Sequence, residues 1–117
     1  MSLSQNALRI GCIGLLVLSA LYCLPGHPSV GHAGLLDAVV HVGLFLGVGL
    51  WFGLSGARSA PVFLALAVFA ALLEMVQSVV GHFPIEWPDV AANEAGLAVA
   101  WVALFLLPRL KAGPKDA

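Results

Sequence analysis

The sequence predicts an all-α integral membrane protein, a four-helix bundle with both termini on the cytoplasmic side. Three observations carry that prediction. Of the 117 residues, 61% are hydrophobic and only 9% charged, where a soluble globular domain carries roughly 25% charged residues. The apolar residues fall into four long blocks, each close to the roughly 20 residues that cross a hydrocarbon core. The basic residues sit at Arg9, Arg58, Arg109, Lys111 and Lys115, so that connections with and without them alternate along the chain.

The first helix spans about residues 7–24. Arg9 precedes an apolar run from Ile10 to Leu24 that stops at Pro25-Gly26. No small-x-small cleavage motif follows cleanly, and neither cysteine has a lipobox before it, so the segment reads as an uncleaved transmembrane helix. Cys12 and Cys23 are 11 residues apart, roughly 16 Å along one helix. That is too far for a disulfide, and both read as small apolar packing residues. The second helix spans residues 35–54 and ends before Ser55-Gly56-Ala57-Arg58. Pro61, favourable in a first turn, opens the third, about 61–80. The fourth runs from about Asp89 to residue 107, with Leu107-Pro108 as its stop signal. Short Gly- and Pro-rich connections join antiparallel neighbours. The chain thus forms one transmembrane domain, residues 1–117, with no room for a soluble one.

Orientation follows from the basic residues. Five lie at the two ends and in the middle connection, and none lies in the first or third connection. The positive-inside rule therefore places both termini in the cytoplasm. Small residues recur four apart at Gly43 and Gly47, at Gly49 and Gly53, and at Ala92, Gly96 and Ala100. Such surfaces let helix backbones approach closely in lipid. They support a compact bundle, or a homo-oligomer, without naming the pairs.

Polar residues interrupt this apolar sequence in pairs. Asp37 and His41 stand at the start of the second helix, Glu74 and Gln77 near the end of the third, and Asp89 and Asn93 at the start of the fourth. Spacings of three or four put each pair on one helix face. At 1.5 Å rise per residue, Glu74 lies roughly 9 Å inward of Val80, while His41 and Asn93 lie roughly 6 Å inward of Asp37 and Asp89. All six are expected in one cluster opening to the extracytoplasmic side. A charged residue at mid-membrane costs about 2.5–3.5 kcal/mol on insertion scales. Three neighbouring carboxylates also repel, so the cluster requires shared protons or a shared cation. His41, as imidazolium, is the cationic candidate within it. Asp37 or Asp89 is also placed to cap its helix start.

In combination these residues resemble the VanZ-like membrane protein family. The matching pieces are D-x-x-x-H at Asp37 and His41, E-x-x-Q at Glu74 and Gln77, and D-x-x-x-N-x-x-G at Asp89, Asn93 and Gly96. The step from Gln77 to Asp89 and the run Trp87-Pro88-Asp89-Val90-Ala91-Ala92-Asn93 fit as well. The likeness covers residues 35 to 105. It implies a bacterial envelope protein of the inner (cytoplasmic) membrane, connected with low-level resistance to the glycopeptide antibiotic teicoplanin, and it implies no particular reaction. One departure matters. Members often carry Pro-Gly-Arg in the third connection, and this chain has Phe83 about where that arginine falls, leaving His82 as the nearby cation when protonated.

Three functional readings remain open. Asp37, His41, Glu74 and Asp89 are candidates for general acid/base chemistry or for ligands to a divalent cation. Gln77, Asn93 and Glu94 are candidates for ligand binding, Glu94 from about 100° round the helix from Asn93. The ligand would then be a polar headgroup, such as that of a lipid-linked envelope precursor. In the second reading the cluster only holds the helices together, and the protein is a membrane scaffold or accessory subunit. In the third it begins a proton or ion path, although no polar residue continues through the inner half. Glu86, His82, His27 and His32 read as solvated loop residues. No basic run points to nucleic acid, and no G-x-S-x-G, H-E-x-x-H or phosphate-binding glycine loop is present. The partner that the composition demands is the lipid bilayer.

Overall fold

A computed structural model describes residues 3–23 and 34–111. His27 and His32 in the first connection, and Lys115 in the tail, lie outside the described residues. Four helices follow in order: α1 (Leu3–Tyr22), α2 (Leu35–Leu54), α3 (Ala60–Gly81) and α4 (Trp87–Lys111). No strand occurs among the described residues. Each helix contains a window long and apolar enough to cross a bilayer, namely Ser4–Leu21, Leu35–Leu54, Ala60–Gly81 and Trp87–Pro108. This is the build of a multi-pass membrane protein.

The helix ends show where local chemistry overrides hydropathy. α2 matches its expected bounds. α1 begins four residues earlier than residue 7, because Ser4, Gln5 and Asn6 are polar without being helix-breaking. α4 runs through Pro108 instead of stopping before it; near a helix end the missing N–H removes one hydrogen bond and the chain continues. α2 closes with Ala57 N–H on the Phe52 carbonyl at 2.9 Å and Gly56 N–H on that of Gly53 at 3.1 Å. This Schellman-type finish needs a left-handed residue, and Gly56 supplies it at φ 104. α3 ends in the same way, with Phe83 N–H on Ser78 and His82 N–H on Val79. There the left-handed residue is His82, at φ 55.

The surface is inverted relative to a water-soluble fold. Leu35, Leu36 and Leu54 are 84%, 77% and 73% exposed, while Glu74, Gln77 and Asp89 are 3%, 5% and 5% exposed and Asn93 is 0% exposed. Exposed leucines and buried acids belong in a solvent that favours the former and rejects the latter. The apolar core lies beneath the polar residues: Phe45 and Phe52 of α2 meet Leu66, Ala70 and Leu73 of α3 and Leu97 of α4. A second layer joins Phe63, Ala100 and Leu104, and the Phe63 and Trp101 rings stack with centroids 6.2 Å apart.

The principal packing seam joins α2 to α4. At Gly96 the two backbones meet. A Cβ there would run into the Val42 carbonyl oxygen and stand 2.9 Å from the Leu46 nitrogen, so bare backbone lies against bare backbone. Gly49 admits Ala100 and Phe63, and Gly53 admits the Leu104 side chain. A Cβ added at Gly43 or Gly47 would meet no other part of the bundle within 4 Å. Of the two small-residue pairs on α2, therefore, only the second serves this seam. The first faces α1 across an apolar groove that also includes Gly11, Gly14 and Trp51. α1 is attached through Leu8, Leu15 and Leu18, which pack against the core, and through Trp51, whose indole N–H donates to the Ala7 carbonyl at 2.8 Å.

Gly96→Ala must push two backbones apart and is expected to cost about 1–3 kcal/mol. Gly47→Ala fills open space and should stay within about 0.5 kcal/mol of the parent. Equilibrium unfolding of the two variants in detergent micelles checks the contrast.

Candidate functional site

The site is assembled where α2 begins, α3 ends and α4 begins. Asn93 is its centre. Fully buried, it donates from Nδ2 to Glu74 Oε1 at 2.8 Å, and its Oδ1 lies 2.7 Å from His41 Nδ1. An amide oxygen only accepts, so His41 donates through Nδ1. One side chain of α4 thereby links α3 to α2. The Glu74 carboxylate also approaches the same ring nitrogen, with Oε1 3.6 Å from Nδ1.

The far edge of the His41 ring faces two more acids. Nε2 lies 3.7 Å from Asp37 Oδ1 and 3.8 Å from Asp89 Oδ2. The polar groups thus form a continuous row, Glu74–Asn93–His41, that ends in the two aspartates. Its Asp37 end is markedly more exposed than the rest. The Glu74 side chain is 2% exposed, those of Asp89 and His41 are 8% and 11%, and that of Asp37 is 36%. The row is therefore sealed at Glu74 and open at Asp37.

Each local structure has a sequence cause. Asp37 and His41 meet because four residues make one turn of α2. Asp89 is set by the start of α4, where the Glu86 carbonyl accepts the N–H groups of Asp89 and Val90 at 3.0 and 3.2 Å. Gln77 lies one turn beyond Glu74 and is buried. The α3–α4 turn is held by Ser78, whose hydroxyl donates to the Phe83 carbonyl. Phe83 packs its ring over Gly81, leaving no space there for a Cβ. An aromatic ring therefore covers the end of α3. His82 is exposed.

Of the seven residues expected at the site, Asp37, His41, Glu74, Asp89 and Asn93 come together through the distances above, with Gln77 buried on the same face of α3 as Glu74. Glu94 lies elsewhere. It lines an apolar recess between α3 and α4 with Pro61, Phe63, Ala67 and Trp101, and its Oε1 is buried without a hydrogen bond. Two residues were not anticipated. Glu86 is half-buried and stands three residues before Asp89, where α4 begins. Its i, i+3 spacing from Asp89 was the available signal. Ser78 carried none, since a lone serine in an apolar helix bonds its own helix backbone as readily.

Chemically the arrangement offers carboxylate oxygens and an imidazole nitrogen at an opening, backed by a buried amide–carboxylate pair that fixes the imidazole. Proton transfer and cation coordination both use such groups. Asp37, His41 and Asp89 each present one ligand atom, and the three atoms lie within 4.8 Å of one another.

Asn93→Ala strands His41 Nδ1 and Glu74 Oε1 at once. It is expected to cost about 1–3 kcal/mol, read as a loss of unfolding free energy in micelles. Ser78→Ala should cost about 1 kcal/mol and leave the His41 environment unchanged, which the imidazole NMR signals of the two variants will separate. In comparisons with known proteins, no family model, curated protein or solved structure significantly matches this chain.

Proposed function

We propose that this chain is a VanZ-like protein of the bacterial cytoplasmic membrane, with both termini in the cytoplasm. It binds or modifies a polar envelope ligand from the extracytoplasmic side, through Asp37, His41, Glu74, Gln77, Asp89 and Asn93. The ligand class is the headgroup of a lipid-linked envelope precursor, and the cellular outcome is glycopeptide tolerance of the teicoplanin type. The observation that carries the reading is the exposure of Asp37 at one end of an otherwise buried polar row. A plug that merely joins helices gains nothing from a carboxylate 36% exposed at its end, whereas a site needs such an opening. The meeting of Asp37, His41, Glu74, Asp89 and Asn93 supports reading them as one site.

A second reading, the non-enzymatic scaffold, is favoured by one observation: the bonds from Asn93 to Glu74 and to His41 by themselves join three helices. Interhelical polar contacts in membranes average only about 0.6 kcal/mol, a small return for burying Glu74 and Asp89. Isosteric variants separate the readings. Glu74→Gln and Asp89→Asn keep shape and most hydrogen bonding, so a scaffold tolerates both. The site reading expects folded variants that lose glycopeptide tolerance in a host that depends on the protein; retention of full tolerance by both refutes it.

The orientation has its own test. In a Cys12→Ser/Cys23→Ser background, Ile85→Cys should react with an impermeant maleimide on intact cells. Arg58→Cys should react only after permeabilisation.

A further inference from the structure

We propose that Asp37, His41 and Asp89 bind a divalent transition-metal ion of the zinc class, through Asp37 Oδ1, His41 Nε2 and Asp89 Oδ2. The inference rests on the reading of this cluster as a ligand site, and it names what the site holds first. Four observations lead to it.

The first is convergence. The three atoms come from two helices and lie within 4.8 Å of one another, with His41 Nε2 at 3.7 and 3.8 Å from the two carboxylate oxygens. Zinc–ligand bonds of 2.0–2.2 Å place tetrahedral ligands about 3.4 Å apart. Closing this trio on an ion therefore needs a few tenths of an ångström at Nε2, while the two carboxylate oxygens, held to within 4.8 Å of one another, draw together. The second is the donor set. Magnesium and calcium take oxygen ligands, whereas an imidazole among carboxylates selects zinc and its neighbours.

The third is how the imidazole is held. His41 donates Nδ1–H to Asn93 Oδ1 at 2.7 Å, and Asn93 is itself fixed by Glu74 at 2.8 Å. A metal-bound histidine almost always donates its second ring N–H to an oxygen in this way, which sets the tautomer and aims the other nitrogen at the ion. Here the other nitrogen is aimed at the two aspartates. The fourth is charge. The chain's Lys and Arg residues are Arg9, Arg58, Arg109, Lys111 and Lys115. None lies on the stretches of α2, α3 and α4 that build the cluster, which holds Asp37, Glu74 and Asp89 with Glu86 beside them. A dication would supply countercharge to these acids without a Lys or Arg on those stretches. Among the described residues three ligand atoms come together, the number that catalytic zinc sites take from protein, and a fourth coordination position would lie on the side where Asp37 reaches the surface. That position takes a water or an anionic oxygen of the headgroup.

The test uses the full chain purified in detergent, stripped with a chelator and titrated with Zn²⁺ alone by calorimetry and equilibrium dialysis. One equivalent is expected to bind and to resist a large excess of Mg²⁺. Asp89→Asn and His41→Gln should each weaken binding by about a hundredfold or more, while Cys12→Ser/Cys23→Ser should leave it unchanged. Co²⁺ substitution gives a reading that needs no variant: tetrahedral d–d bands without thiolate charge transfer support the site. Absence of binding, a thiolate band, or unchanged affinity in an Asp37→Asn/Asp89→Asn variant overturns the inference, the last marking adventitious binding elsewhere on the chain. The two proposals fail separately. Loss of glycopeptide tolerance in Asp89→Asn, with no metal on the parent protein, removes the metal and keeps the site. Metal on the parent protein, with tolerance intact in both isosteric variants, removes the envelope function and keeps the metal.

Discussion

Hydrocarbon offers no hydrogen-bonding partner, and that constraint sets the form of this protein. A polar group placed in lipid must find its partner within the bundle. Asn93 meets this requirement for two neighbours at once: its amide nitrogen serves Glu74, and its amide oxygen serves His41. Neither of those residues could be placed alone on its helix without the cost that keeps ionisable groups rare in membrane spans. The sequence of α3 and that of α2 are therefore acceptable in a bilayer because of a residue on α4.

Close helix approach and the polar row depend on one another. Gly96 follows Asn93 by three residues, nearly one turn, so it shares the face turned toward α2. By letting α4 rest on the α2 backbone at Val42 and Leu46, it places the Asn93 amide within 2.7 Å of His41. A bulkier residue at that position lengthens the polar contact as well as opening the apolar one. The D-x-x-x-N-x-x-G spacing is in this sense one device: acid at the rim, amide in the core, and a missing side chain that sets the separation.

The four helices were legible in the sequence because apolar length is a strong signal, and α2 was placed to the residue. The ends of α1 and α4 were less so, since hydropathy reports where lipid contact stops and hydrogen bonding decides where the helix stops. The polar cluster was legible for the same reason as the helices, because carboxylates on separate apolar spans have few other places to go. What periodicity could not supply was identity of contact. Gly43-x-x-x-Gly47 and Gly49-x-x-x-Gly53 look alike in sequence, and only the second pair receives side chains of α3 and α4. Glu94 sits one position from Asn93 yet lies over an apolar recess, because a step of 100° is enough to change neighbours. Glu86 escaped because its place was set by the turn that starts α4, and turns are short-range structures that hydropathy does not see.

The link between His41 and Asn93 spans 52 positions of the chain, and this separation bears on how the protein is made. A ribosome delivers α2 to the bilayer well before it reaches α4, so His41 and then Glu74 arrive before their common partner exists. During that interval each must keep water, a headgroup or the insertion machinery as a companion. The final span therefore acts as a latch, and its entry completes the packing of segments synthesised earlier.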